Sequence, residues 1–128
     1  MTADLDPYAD VERMLVADLA DFGATGTALP DGLPDVLPFV RSRRVGGSDN
    51  GVTDVARVVV DVFAASRAAA WDVARRVQQH MLSGPRRIPG AGIIDQAVTN
   101  VGPQDAPYED QRIRCVTAMY DVSSRRPH

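Results

Sequence analysis

The sequence predicts a single α+β domain in which two helices pack on one face of a mostly antiparallel sheet, with the element order α-β-β-α-β-β. Two segments carry apolar residues at the three- and four-residue spacing of amphipathic helices, and four carry the residue types and alternation of strands. A length of 128 residues fits one domain. We expect residues 1–128 to form it, with flexible ends at 1–5 and 124–128.

The first helix is predicted within DPYADVERMLVADLADFG, residues 6–23. Asp6 is placed to cap its start and Pro7 to open it, because these residue types are frequent at those positions. Gly23 supplies a stop, since glycine commonly ends helices. One face of this helix is apolar: Tyr8, Val11, Leu15, Leu19 and Phe22.

Residues 24–39, ATGTALPDGLPDVLPF, contain three prolines and two glycines. This composition excludes a helix interior or a central strand. We interpret the segment as a surface connection, with a functional arm as the alternative at this length.

A β-hairpin is predicted next. Its first strand lies within DVLPFVRSRRVGG, where Val36, Phe39, Val40 and Val45 favour an extended chain. The turn is predicted at GGSDNG. The second strand lies within TDVARVVVDVFAAS, whose side chains alternate between two faces. In this second strand one face holds Val58, Val60 and Val62, and the other holds Arg57, Val59, Asp61 and Phe63.

The second helix is predicted over residues 66–82, with Ser66 as its cap and an end at Gly84 and Pro85. Trp71 lies toward the flank of its apolar stripe. The inner face holds Ala70, Val73, Val77 and Met81, and the outer face holds Arg75, Arg76 and Gln79.

Two further strands are predicted in the last third of the chain. IIDQAVTNV, residues 93–101, forms the third, and GPQDAPYED, residues 102–110, is predicted to break it. In the fourth, one face holds Ile113, Cys115, Thr117 and Met119, and the other holds Arg114, Val116, Ala118, Tyr120 and Val122. Two helices on one face of the sheet is the natural packing for this order.

The charge pattern argues against a protein whose main role is to bind nucleic acid. All fourteen basic residues are Arg, fifteen of the seventeen acids are Asp, and the net charge is -3, whereas phosphate binding needs a clustered positive surface. No apolar run approaches the length of a membrane span, and the start lacks the layout of a signal peptide. We therefore expect the chain to fold in a cytoplasm.

No residue pattern predicts a catalytic, cofactor or metal site. His80 is the only internal histidine and has no Cys or second His nearby, so we interpret it as a helix-surface residue and not as a zinc ligand. Cys115, the single cysteine, is interpreted as a small buried residue.

GGSDNG lacks the Lys-Ser or Lys-Thr of a phosphate loop. Asp105, Glu109 and Asp110 could do acid/base work or bind a hard cation, but a solvated loop is preferred.

The arginines form three groups, which are candidates for an interface. Arginine is enriched in protein interfaces, where it pairs with carboxylates. Phosphate contact is the less favoured alternative, since stacking aromatics are not interleaved with the arginines, and a plain solvated face remains a competitor. The leading interface candidates are Arg41, Arg43, Arg44, Arg86 and Arg87, and the last group is Arg125 and Arg126.

Two stretches carry a resemblance to a known family. VARVVVDVFAASRAAAWDVARRVQQHM, followed by IIDQAVTNVGPQDAPYEDQRIRCVTAMYDVSSR, resembles the tail terminator proteins of long-tailed bacteriophages, especially those infecting actinobacteria. The resemblance is most specific in the strand that leads into the Arg- and Ala-rich helix, in GPQDAPYED and in RIRCVTAMYDV.

The resemblance implies a small α+β subunit that assembles into a ring, a hexamer, on the completed tail tube. Such a ring stops tube polymerisation and presents the surface that joins the head-side connector. Its partners would be copies of itself, the major tail tube protein and the connector, and DNA would pass through without specific binding. The resemblance further implies a place at the tail–neck junction of the virion, assembly in the cytoplasm of a host bacterium, and no catalysis.

Two alternatives stay open at the level of sequence. One is a head–tail connector or head-closure protein. The other is a small host enzyme or a nucleic-acid-binding α+β domain, against which the acidic balance and the lone internal histidine argue.

Overall fold

The computed structural model describes residues 10–49 and 54–125, which form two helices and one six-stranded sheet. The elements in chain order are α1 (Val11–Asp18), β1 (Ala24–Gly26), β2 (Phe39–Asp49), β3 (Asp54–Ala64), α2 (Arg67–Met81), β4 (Arg86–Ile88), β5 (Gly92–Ala106) and β6 (Arg114–Arg125). Short 3-10 turns at Ala20–Phe22 and Leu33–Asp35 complete the connections.

The strands of the sheet have the order β1-β2-β3-β6-β5-β4. Adjacent strands are antiparallel, except for β1 and β2, which are parallel. The four inner strands are those predicted from sequence, including the β2–β3 hairpin. The predicted order α-β-β-α-β-β omitted β1 and β4. Each of these edge strands has only three residues, which is too short for an alternation to be recognised.

Two strands run further than predicted. GPQDAPYED was expected to break the third strand, but β5 continues through Gly102 and Pro103 to Ala106. Its pairing with β6 shifts register three times, at Ile94/Gln96, Thr99/Val101 and Val101/Gln104. Bulges of this kind allow a strand to include extra residues that have no regular pairing partner. β2 likewise continues to Asp49, and the last two residues of the predicted turn, 50 and 51, lie outside the described residues.

Helix α1 begins at Val11, where the side chain of Asp10 accepts a hydrogen bond from the Arg13 N–H at 3.2 Å. The predicted start at Asp6 and Pro7, with Tyr8, lies outside the described residues. The predicted stop at Gly23 follows the helix and its 3-10 turn, with a φ of 149°. The expected flexible ends were 1–5 and 124–128. Residues 1–5 and 126–128 also lie outside the described residues, whereas Ser124 and Arg125 form the end of β6.

Helix α2 closely matches its prediction. Ser66 caps it by accepting a hydrogen bond from the Ala69 N–H at 3.1 Å. Its buried residues include the four predicted for the inner face: Ala70, Val73, Val77 and Met81.

The main core lies between both helices and one face of the sheet, as predicted. The sheet contributes Val58, Val60, Val62, Val116, Ala118, Tyr120 and Val122 to it. Helix α1 contacts β1 and β2 near one edge and β4 at the other, so the sheet curls around this helix. The opposite sheet face is called the outer face below.

A second, smaller core covers one end of the outer face. It contains Leu33, Phe39, Phe63, Ile113 and Cys115, and Leu29, Leu37, Ala106 and Tyr108 pack against it. The proline-rich connection thus folds over the end of the sheet, as a surface connection with its own apolar anchor.

Candidate subunit interface

An apolar strip crosses the middle of the outer face, where neither helix covers the sheet. It consists of Val59, Val98, Val101 and Met119 and is called the apolar strip below. Met119 pairs with Val59 on one side and with Val101 on the other. Val98 and Val101 are 45% and 40% exposed, and a depression of about 130 Å³ opens between Val59, Val101 and Met119. Exposed apolar side chains that adjoin one another in this way are typical of a contact surface.

The register shift in β5 creates part of this strip. Val98 pairs with Asp121, and Val101 pairs with Met119, so two valines three residues apart lie on the same face of the strand. In a regular strand they would point to opposite faces. Alternation in the sequence therefore could not reveal the strip.

Ion pairs frame the apolar strip on both sides. The buried carboxylate of Asp61 accepts hydrogen bonds from Arg41 at 2.8 and 3.0 Å and from Arg43 at 3.4 Å. Asp121 accepts from Asn100 at 3.1 Å and from Arg57 at 3.2 Å, and these two bonds lower the pKa of Asp121. Because both carboxylates are paired within the subunit, a partner can cover the strip without burying an unpaired carboxylate.

Two of the five predicted interface arginines, Arg41 and Arg43, thus stand beside the apolar strip. Arg44 is further along β2, where its guanidinium holds the buried Asp54 at 2.6 and 2.8 Å. Its backbone N–H donates to Glu12 at 3.0 Å. Most of its binding capacity is therefore used inside the subunit, and its role in association stays a prediction, as do those of Arg41 and Arg43.

Arg86 and Arg87 are neighbours on β4 but differ in their contacts. Arg86 is largely buried and binds the buried Asp18 of α1 at 2.8 Å. His80 of α2 contacts the same carboxylate at 3.0 Å, so Asp18 joins α1, α2 and β4. Arg87 is exposed, and no carboxylate among the described residues pairs with it. The structure does not bring the five arginines to one place, and the interface role of Arg86 and Arg87 stays a prediction.

The residues considered for chemistry do not assemble into a site. Asp110 is bound by Arg112, whose side-chain and backbone hydrogen bonds lower the pKa of that carboxyl to about 2. Burial raises the pKa of Cys115 to about 11, so its thiolate is scarce at neutral pH. His80 is half-buried against Asp18 and the ring of Phe22 and is not the simple surface residue expected. Within residues 10–49 and 54–125, no three His, Cys, Asp or Glu side chains are placed to hold a metal ion.

A basic–aromatic surface at the start of α2 was missed by the sequence reasoning. It consists of Arg67, Trp71, Arg75 and Arg114. The guanidiniums of Arg67 and Arg75 lie 5.6 and 5.2 Å from the centre of the Trp71 ring. The spacing RAAAWDVAR, with an arginine one turn before and one turn after the tryptophan, was its visible signal.

Asp105 ties this surface to the end of β5. It accepts hydrogen bonds from Arg67 at 3.0 and 3.1 Å and from the indole N–H of Trp71 at 2.8 Å. These bonds lower the pKa of Asp105, and the charge of Arg114 contributes less. The first of the three acids considered for catalysis is thus an ionised structural partner.

A small α+β domain that exposes an apolar strip between internally paired charges has the features of a subunit that associates with other proteins. The model of the phage tail termination protein family matches residues 8–128, and the chain belongs to this family. The family is a structural phage tail family and not an enzyme family, so the protein is a tail component of a virion.

The fold also occurs in a chain from the virion of a native gene transfer agent particle. The two share 20% identity over 90% of this chain and 91% of that chain, with a TM-score of 0.59. This likeness shows a shared fold. No curated protein matches the chain. Neither helix in the described part of the chain is long and apolar enough to cross a membrane.

Proposed function

We propose that the protein forms a closed ring that caps the completed tail tube, stops its polymerisation and presents the surface that joins the head-side connector. The observation that carries this proposal is the apolar strip, an uncovered sheet surface with ion-paired carboxylates at its margins. Family membership supplies the tail context. The partners are other copies of the chain, the major tail tube protein and the connector.

A ring follows if the strip of one subunit meets a different surface on the next. Head-to-tail contacts of this kind close into rings when the rotation between subunits allows it. Termination then has a simple physical cause, because one ring face is complementary to the last tube ring and the other gives the tube subunit no surface to bind. The number of six subunits comes from the family resemblance.

The charge of the chain suits a conduit for DNA. Each subunit carries a net charge of -3, so a ring is acidic overall, and like-charge repulsion keeps passing DNA from binding its wall. The proposed place of the ring is the tail–neck junction, after assembly in the cytoplasm of the bacterial host.

Light scattering and negative-stain electron microscopy of the purified protein test the ring. The wild type is expected to form closed rings as its concentration rises, and Val101→Asp is expected to weaken association because it places a charge in the apolar strip. Val45→Asp is the matched control, since Val45 is 50% exposed and lies outside the strip. A wild type that stays monomeric at high concentration, both alone and mixed with tail tubes, would refute ring formation.

A further inference from the structure

The basic–aromatic surface carries more arginines than carboxylates that pair with them. Arg67 is paired with Asp105, but no carboxylate among the described residues pairs with Arg75 or Arg114. Both arginines are exposed, and Trp71 presents its ring between Arg67 and Arg75. Tryptophan and arginine together are the residue types most enriched where interfaces concentrate their binding energy.

A depression of about 450 Å³ opens beside Arg114, between the basic–aromatic surface and the second core. Its lining is Ala106, Pro107, Tyr108, Gln111, Ile113 and Arg114. Its lining is largely polar and includes the guanidinium of Arg114, which suits a segment that carries carboxylates.

The chain itself contains such a segment. Residues 27–38, called the acidic segment below, expose Asp31 and Asp35, and no described arginine forms an ion pair with either. Arg112 is near Asp35, but its guanidinium is bound by Asp110 at 2.8 Å. The leucines of the segment anchor it on the second core, which fixes where the carboxylates are presented.

The two surfaces lie at the same end of the subunit and on opposite sides of the sheet. The acidic segment packs on Phe63 at the end of β3, on the outer face. The chain then passes directly into α2, which carries Trp71 on the helix side. In a head-to-tail ring two different surfaces of the subunit meet, so the outer side of one subunit can contact the helix side of the next.

We infer that the acidic segment of one subunit docks on the basic–aromatic surface of the neighbouring subunit, with Asp31 and Asp35 facing Arg75 and Arg114. This inference rests on the proposed ring and names one of its contacts. The occupant is a second copy of this chain, because exposed carboxylates without an ion pair and exposed arginines without one lie at the same end of the subunit, on different faces, and their charges are complementary. The contact is head-to-tail and repeats around the ring.

Charge reversal with rescue tests this contact. Arg75→Glu with Arg114→Glu, and separately Asp31→Arg with Asp35→Arg, are each expected to weaken association about tenfold or more, measured by sedimentation at low salt. The protein that carries all four changes is expected to regain most of the lost affinity, because the charges again face their opposites. Arg13→Glu is the control, since Arg13 is exposed on α1 and has no ion pair among the described residues. It should associate like the wild type.

Melting temperatures separate lost contact from lost folding. If a reversal variant does not fold, the milder pair Arg75→Gln and Arg114→Gln replaces it and should still weaken association. Rings from the reversal variants with wild-type affinity would overturn the inference and leave the proposed function standing. Failure of the fourfold variant to regain affinity would also overturn it and assign the basic–aromatic surface to another tail protein. A wild type that forms no ring, alone or on tail tubes, would overturn both.

Discussion

At the scale of single residues, Gly46 and Gly47 show how much of the backbone structure can be predicted from the sequence. Both belonged to a predicted turn, and the structure places both in β2, next to a register shift between Arg44 and Gly46. Gly47 has a φ of 134°, and a Cβ there would collide with the carbonyl oxygen of Val55. Gly46 has open space where its Cβ would be. The difference depends on the pairing with β3, which local sequence does not determine.

Gly47→Ala is therefore expected to destabilise the protein by about 2 kcal/mol, because the left-handed backbone and the close approach of β3 both oppose a side chain. Gly46→Ala should change stability by less than about 0.5 kcal/mol. Thermal unfolding of the two variants checks this. Equal melting temperatures would show that the backbone of β2 is not strained at Gly47.

At the scale of elements, prediction succeeded where the pattern was regular. β3 and β6 alternate without interruption, and the faces assigned from sequence match the two cores. β5 contains three register shifts, so its end and its exposed valines could not be derived from a two-residue period. β1 and β4 were missed because an edge strand of three residues leaves no periodic signal.

Val60→Asp and Val59→Asp test the two faces of β3 with the same change at adjacent positions. Val60 is 2% exposed in the main core, so a carboxylate there would be buried without a partner and should cost several kcal/mol, enough to unfold a marginal domain. Val59 is half-buried on the outer face between Arg43 and Met119, and its variant should remain folded while associating less. Circular dichroism melts distinguish the two. A Val60→Asp protein with the parent's melting temperature would contradict the assigned faces.

Arg86 and Arg87 form a second matched pair at this scale. Sequence reasoning placed both in the interface, because the residue types are identical and the burial of Asp18 depends on contacts distant in the chain. Arg86→Gln should destabilise the fold by about 3 kcal/mol, because it leaves the buried Asp18 without its guanidinium. Arg87→Gln should be nearly neutral for folding. Urea unfolding measures both, and equal midpoints would show that the Arg86–Asp18 pair does not stabilise the fold.

At the scale of the whole molecule, the candidate site was only partly predictable. Arg41 and Arg43 do flank the apolar strip, but the strip itself arises from three strands brought into register. The basic–aromatic surface likewise joins α2 to the ends of β5 and β6. Composition and resemblance indicated an assembly subunit, and long-range strand pairing determined which surfaces it exposes.

The most direct test of the capping role is the length of tails in electron micrographs of lysates from a phage lacking this gene. We expect DNA-filled heads and unattached tails of uncontrolled, often excessive, length, because nothing halts addition of tube subunits. Wild-type protein and Val45→Asp supplied in trans should restore uniform tails, and Val101→Asp should not. Tails of normal length that only fail to join heads would contradict the capping role and favour a head–tail connector, and normal virions would contradict both.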